Sequence, residues 1–219
     1  MSQHTKAFKD QSLVKDMTRE GGDYWTMVTT LDKQITLEEF LKLPETKPAS
    51  EFINGRIYQK PMLQGKHSRL QLKLCNAVNQ VAEEPQISLA FPELRCTFGG
   101  RSIVPDVTLF RWERIPFDAE GEIENVFALH PDWTIEILSP DQNATKVISN
   151  ILHCLKHGTQ LGWFIDPDER LIIVFFPGQQ PIEMIGDDRL PVPEFLELEL
   201  TVAQVFGWLK AGKPQCDRS

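Results

Sequence analysis

Two long stretches of the chain carry apolar residues at helical spacing. In residues 66–84 the apolar positions are four and three apart, which predicts an amphipathic helix with one face on the core: Leu70, Leu74, Val78 and Val81. Pro85 ends this helix. Residues 144–158 repeat the spacing and end at Gly158, the residue type at which helices commonly stop. The apolar face of this second helix is formed by Val147, Ile151 and Leu155.

Capping residues predict two shorter helices, one near each end of the chain. Thr36 is followed three positions later by Glu39, the pattern of a capping box, and Pro44 stops the helix. Thr201 is the N-cap of the second short helix, within residues 201–212.

Turn residues predict two β-hairpins. The first covers residues 50–61 and turns at Asn54-Gly55, the strongest short hairpin signal. The second covers residues 94–111 and turns at Gly99-Gly100. Pro105 interrupts the second arm, which indicates an edge, a bulge or a bend at that point.

The remaining apolar runs predict further strands at residues 132–139, 161–167, 170–178 and 190–200. Residues 112–131 form a longer mixed insertion. Because the helix at 144–158 separates two of these strands, a crossover with the helix on one face of the sheet is expected. The order of elements predicts a mixed α/β (α+β) fold with a central sheet flanked by helices.

The 219 residues are enough for one good-sized domain. We expect a partly disordered extension at residues 1–30, a single domain at residues 31–211, and a polar tail at residues 212–219. The composition, with 41% hydrophobic and 25% charged residues, is that of a protein with a packed core.

The chain contains no run of about 18 apolar residues, and its polar N-terminus lacks the apolar segment of a secretory signal. A soluble cytoplasmic protein without membrane contact is therefore expected. The four cysteines show no CxxC pair, which argues against a metal cluster: Cys75, Cys96, Cys154 and Cys216. The first three lie in apolar patterns, so we expect buried free thiols.

The net charge of −8 argues against a protein that coats duplex DNA, since such binding depends on Lys and Arg. It does not exclude a nuclease. Acids gathered at a metal site make such proteins acidic, while a local basic rim holds the substrate.

Two carboxylates interrupt the apolar patterns of predicted strands, Asp106 and Glu136. Alternation places Glu136 on the face opposite Ile135 and Ile137, where it can face a cleft under the following helix. Either acid alone is expected on a solvated face. The two together, with Lys146 downstream, favour a Mg²⁺ site, because Mg²⁺ asks for only one or two protein carboxylates.

The strings around these acids resemble a known family. "VPDV" is followed thirty residues after its aspartate by "IEILSPDQ", then by a helix, "HG" and "GWFIDP". This order resembles the Uma2 family, which belongs to the PD-(D/E)xK nuclease superfamily. "LEEFLKLP", "EFINGRIYQKP" and "GKHSRL" are similar to the family's N-terminal pattern, so the resemblance extends over about residues 37–209.

The resemblance implies a restriction endonuclease-like core, with a central mixed β-sheet flanked by helices and the site on the central strands. It implies that Asp106 and Glu136 hold Mg²⁺, for which Mn²⁺ can substitute. Glu51 matches a family acid, and would be a further ligand or a water-orienting group; an exposed strand acid is the alternative. His67 matches a frequent family histidine, with a structural or solvated role as the alternative.

The lysine of the motif is where the chain departs from the pattern. The superfamily usually has it two residues after the second acid, and Leu138 stands there. Uma2-like chains have it on the following helix, at the position of Asn150 here. Lys146 lies one turn earlier on the same helical face and is the expected assisting lysine. Lys60, at the end of the first hairpin, is its rival.

The expected activity is that of a Mg²⁺-dependent endonuclease that hydrolyses DNA phosphodiester bonds, with Asp106, Glu136, Lys146 and Glu51 at the site. A homodimer that cuts both strands is expected by analogy. Two alternatives stay open: an inactive nuclease fold that binds nucleic acid or protein, and a hydrolase that acts on another phosphate substrate.

Overall fold

The computed structural model of the protein describes residues 35–140 and 142–212. The expected extension at residues 1–30, and all but the first residue of the expected tail, lie outside this part of the chain. No helix within it is long and apolar enough to cross a membrane.

The described residues form four α-helices and ten β-strands. The helices are α1 (Leu37–Leu41), α2 (Gly65–Ala82), α3 (Ala144–Lys156) and α4 (Val202–Gly207). The strands are β1 (Ser50–Ile53), β2 (Arg56–Gln59), β3 (Ser88–Pro92), β4 (Cys96–Phe98), β5 (Arg101–Ile103), β6 (Val107–Arg111), β7 (Trp133–Ile137), β8 (Leu161–Asp166), β9 (Leu171–Phe175) and β10 (Ile182–Ile185).

The strands form two sheets. The smaller has the order β2-β1-β5-β4, and its pairs are antiparallel. The larger is mixed, with the order β10-β9-β8-β7-β6-β3, and its central pair β7–β8 is parallel. Helix α3 connects these two parallel strands, as expected for a crossover.

Alternation along the central strands produces a buried layer on each face of the six-stranded sheet. Trp133, Ile135 and Ile137 of β7 belong to the main core, which also contains the apolar faces of α2 and α4. On the opposite face Ile151 of α3 packs with Phe164 of β8. The position of Glu136 between Ile135 and Ile137 therefore directs its side chain to the α3 face.

A short bend joins the two sheets. Strand β5 of the four-stranded sheet ends at Ile103, and β6 of the six-stranded sheet begins at Val107. Pro105 lies between them and has no N–H to donate to a ladder, which is consistent with the interruption expected there. Asp106 is the last residue of this bend.

Most predicted elements are confirmed, including both hairpins and all four helices. Thr36 and Thr201 each form a capping box. Asn54 and Gly55 have φ of 51° and 81°, as a tight hairpin turn requires. Cys75, Cys96 and Cys154 are buried free thiols.

The predicted strand at 190–200 is wrong. Leu190, Leu196 and Leu200 are buried in the main core, but this segment forms no strand, and its two prolines remove ladder donors. Two further strands, β3 and β10, were not predicted from the apolar runs. Both are edge strands of the larger sheet, and β10 is largely exposed, so its apolar pattern is weak.

We predict that Gly162→Ala destabilises the protein by separating α3 from β8. A Cβ at Gly162 would lie 2.4 Å from Cγ2 of Ile151, which is fully buried. Overpacking of this kind costs about 1–3 kcal/mol. Urea unfolding measures the change. Gly207→Ala is the control, because no described atom lies within 4 Å of its added Cβ, and it should leave stability equal or slightly higher. Equal stability of both variants would contradict the close contact.

Candidate active site

Asp106 lies where the bend enters the six-stranded sheet. In the antiparallel β6–β7 register Val107 pairs with Ile135, so the next position along each strand places Asp106 beside Glu136. The Ile137 N–H donates to Asp106 Oδ2 at 2.7 Å. The bend and the register thus bring together two acids that are thirty residues apart in the sequence.

Helix α2 fixes Asp106 from one side. His67 and Gln71 are one turn apart on the buried face of this helix. His67 Nε2 is 3.0 Å from Asp106 Oδ2, and Gln71 Nε2 donates to the Asp106 carbonyl at 2.8 Å. His67 therefore contacts the acid directly, and is neither solvated nor remote from the site.

Lys60 fixes Asp106 from the other side. Its side chain is buried, and its Nζ donates to Asp106 Oδ1 at 2.5 Å and to the Val104 carbonyl at 2.7 Å. Lys60 follows the exposed strand β2, so the first hairpin supplies a cation to an acid of the other sheet. The ammonium holds both the carboxylate and the bend that carries it.

Glu51 of β1 is buried, which excludes the reading of an exposed strand acid. Its Oε1 accepts from the Val104 N–H at 3.0 Å and from Asn150 Nδ2 at 3.2 Å. Val104 is therefore held at its N–H by Glu51 and at its carbonyl by Lys60. Asn150, at the position where related chains carry lysine, contacts a carboxylate without bringing a charge.

Glu136 is buried on the α3 face with less support. Its Oε1 has no hydrogen-bond partner among the described residues, and neither does Oδ1 of the buried Asn150. A buried carboxylate oxygen without a donor is costly, because nothing replaces its hydration.

The two neighbouring acids have opposite pKa shifts. Burial favours the neutral form of Asp106, but Lys60 and His67 outweigh it and lower its pKa to about 2. Burial raises the pKa of Glu136 well above its usual range, and the negative charges of Asp106 and Glu51 raise it further, against the attraction of Lys60. The cluster therefore holds more carboxyl groups than its buried cation can neutralise.

Lys146 lies farther out, in the first turn of α3. Its side chain is half-buried, and its Nζ is 4.0 Å from the centroid of the Tyr58 ring. Burial lowers its pKa, and the charges of Glu51, Lys60 and Glu136 also act on it. Tyr58 is the cross-strand partner of Glu51, so the pair lies beside the acids.

The structure thus brings Glu51, Asp106 and Glu136 together around Lys60, with Lys146 next to them. The sequence patterns gave Lys60 only as a rival and did not single out Gln71. Two polar residues four positions apart on the apolar face of α2, His67 and Gln71, are the signal that could have revealed this support.

The acids fit a divalent cation such as Mg²⁺. Carboxylate oxygens are its preferred ligands, and an uncommitted buried oxygen on Glu136 beside an ionised Asp106 is a suitable pair. Within residues 35–140 and 142–212 no group of three or more His, Cys, Asp or Glu is arranged to hold a metal. Two carboxylates suffice for Mg²⁺, which keeps several waters.

Comparison with known proteins agrees with this fold. A model of the Uma2 family, described as "Putative restriction endonuclease", matches residues 37–203. The crystal structure of a "putative nuclease belonging to DUF820" from Anabaena variabilis ATCC 29413 is similar, with 57% sequence identity and a TM-score of 0.79. The match covers 80% of this chain and 99% of that chain. No protein with a curated description matches.

We predict that Glu136→Gln raises the melting temperature, and that the gain grows with pH. The folded state binds the Glu136 proton more tightly than the unfolded chain, whose pKa is near 4.5. Wild-type stability from this group is therefore complete below pH 4.5, and is lost as pH rises toward the folded pKa. Glutamine removes that loss. For a chain of this length each kcal/mol gained corresponds to about 2–4 °C.

Differential scanning calorimetry at pH 5.5 and pH 8 measures the effect. Glu183→Gln on the exposed edge strand β10 is the matched control, and should change the melting temperature little at either pH. A Glu136→Gln variant that is less stable than wild type at pH 8 would show that the carboxylate is well supported.

Proposed function

Since the chain belongs to the Uma2 family, we propose that it is a metal-dependent endonuclease that hydrolyses phosphodiester bonds in DNA. One observation carries the proposal: three buried carboxylates converge on one buried lysine, and one of their oxygens has no partner among the described residues. Burying such a cluster costs stability, and groups of this kind are typical of functional sites.

We assign Asp106 and Glu136 to the metal, with Mg²⁺ as the physiological ion and Mn²⁺ as a substitute. When bound, the ion would supply Lewis-acid polarisation of the scissile phosphate. Lys60, His67 and the Ile137 N–H hold the Asp106 carboxylate in one orientation before any ligand arrives. Because this carboxylate is already oriented, the reaction does not have to supply the free energy of orienting it.

In the proposed reaction a bond forms between a water oxygen and phosphorus, and a bridging P–O bond breaks. The water loses a proton to solvent, and the leaving oxygen takes one from solvent. Glu51 positions Val104 and Asn150 in the site, because its Oε1 accepts hydrogen bonds from the Val104 N–H and from Asn150 Nδ2. Lys146 assists from beside the acids, where its charge attracts the substrate phosphate.

We further propose that the protein acts in the cytoplasm as a homodimer, in which two sites related by a twofold axis face the two strands of a duplex. A mass from light scattering twice that of one chain would support the dimer. A mass equal to one chain in the presence of DNA and metal would overturn it.

A second candidate function is a nuclease fold that binds nucleic acid or protein without cleavage. Both Asp106 oxygens already have protein partners, and the two usual lysine positions are Leu138 and Asn150. In that case affinity for DNA or a protein partner should survive loss of both Asp106 and Glu136.

We predict that Asp106→Asn abolishes both Mn²⁺ binding and plasmid nicking. Loss of an outer partner of a metal ligand typically costs about 10–100-fold, so loss of a ligand should lower cleavage by about 100-fold or more. Isothermal titration calorimetry measures binding, and gel electrophoresis of supercoiled plasmid measures nicking.

Asp132→Asn is the matched control for this experiment. Asp132 is also a buried aspartate, but it pairs with Arg114 at 2.6 Å and accepts from the Arg111 N–H. Its loss should lower stability and leave Mn²⁺ binding intact. Nicking that persists unchanged in Asp106→Asn would identify a contaminating nuclease, and Mn²⁺ binding that persists would refute the assigned site.

A further inference from the structure

Two positions at which the site would be expected to carry lysine have lost the charge. Leu138 packs beside the apolar cluster under α3, and Asn150 donates an uncharged amide to Glu51 at 3.2 Å. The three acids nevertheless surround a cation, which comes from the segment after β2 and not from α3.

That cation is Lys60. Its ammonium is buried and lies 2.5 Å from Asp106 Oδ1, and it interacts electrostatically with Glu136 and Glu51. A lysine ammonium has three N–H donors. Asp106 and the Val104 carbonyl take two of them, and no third acceptor is found among the described residues. One N–H therefore remains for a ligand in the site.

Lys146 differs from Lys60 in its burial and in its hydrogen bonds. It is half-buried, its Nζ lies over the Tyr58 ring, and no hydrogen bond links it to a carboxylate of the described chain. A cation over an aromatic ring at a partly exposed position is suited to long-range attraction of a phosphate more than to holding one water.

We propose that Lys60 is the active-site lysine of this chain, and that its free N–H holds the attacking water or a phosphate oxygen next to the metal-binding acids. The N-terminal hairpin thereby replaces the helix as the source of the ammonium. This inference rests on the proposed nuclease function, and it leaves Lys146 with a role in substrate attraction.

Relocation of the lysine tests the proposal. Lys60→Met removes the ammonium, and Lys60→Met/Asn150→Lys returns one from α3, at a position whose side chain already contacts Glu51. Single-turnover cleavage of a plasmid in Mn²⁺ is measured for both variants, together with DNA affinity by fluorescence anisotropy and the melting temperature.

Lys60→Met should lower the cleavage rate by about 100-fold or more with DNA affinity nearly unchanged, the size typical for loss of one preorganised donor. The double variant Lys60→Met/Asn150→Lys should cleave at least tenfold faster than Lys60→Met. Lys146→Met should lower apparent DNA affinity and change the saturated rate by less than about tenfold. Lys42→Met, at the exposed C-cap of α1, is the control and should match wild type.

Two results would overturn the assignment of Lys60 without affecting the proposed function. Either Lys60→Met cleaves at the wild-type rate, or the double variant folds but cleaves no faster than Lys60→Met. If Lys60→Met does not fold, the double variant is the test, because it restores the positive charge. Cleavage by the double variant would then support the proposal, and its inactivity would overturn the proposal. Absence of Mn²⁺-dependent cleavage by the wild type would overturn the proposed function, and this inference with it.

Discussion

The ion pair between Lys60 and Asp106 is the contact on which the arrangement of the two sheets depends. Lys60 follows the first hairpin, which belongs to the four-stranded sheet, and Asp106 directly precedes β6 of the six-stranded sheet. Both charges are buried, so each needs the other. Removal of one partner from such a pair typically costs about 3–5 kcal/mol, because it leaves an uncompensated charge. The pair therefore joins the sheets where the chain passes between them.

The same pair leaves the cluster with more carboxyl groups than its one buried ammonium can neutralise. Lys60 and His67 together keep Asp106 ionised, and the Lys60 ammonium also interacts with Glu51 and Glu136. Glu51 is supported by the Val104 N–H and Asn150, whereas Glu136 keeps a buried oxygen without a donor among the described residues. A cluster built for stability alone would pair each acid or replace it with an apolar residue.

Membership of the Uma2 family accounts for the fold, and the departures from its lysine pattern distinguish this chain. Leu138 and Asn150 leave both usual positions uncharged, while Lys60 contacts an acid from the other side. An ammonium can serve from different backbone positions, since its role depends on where Nζ lies. Function then follows from the geometry of the site and not from the fold.

Local patterns in the sequence determined most helices and both hairpins, because helical spacing, capping boxes and an Asn-Gly turn act within a few residues. They also placed Glu136 on the face away from Ile135 and Ile137. They wrongly predicted a strand at residues 190–200, because apolar residues that are buried in the core without strand pairing have the same sequence pattern as a strand. The edge strands β3 and β10 were not predicted, because their pairing depends on the neighbouring strand more than on their own apolar pattern.

The tertiary structure alone decided which lysine meets the acids. Lys60 and Asp106 are 46 residues apart in the chain, and no local spacing links them. The sequence indicates a possible bend at Pro105 and a core-facing side of α2, but it does not show that the bend places Asp106 next to Lys60. Helical spacing places Lys146 one turn before Asn150 on α3, but its contact with the Tyr58 ring comes from the neighbouring hairpin.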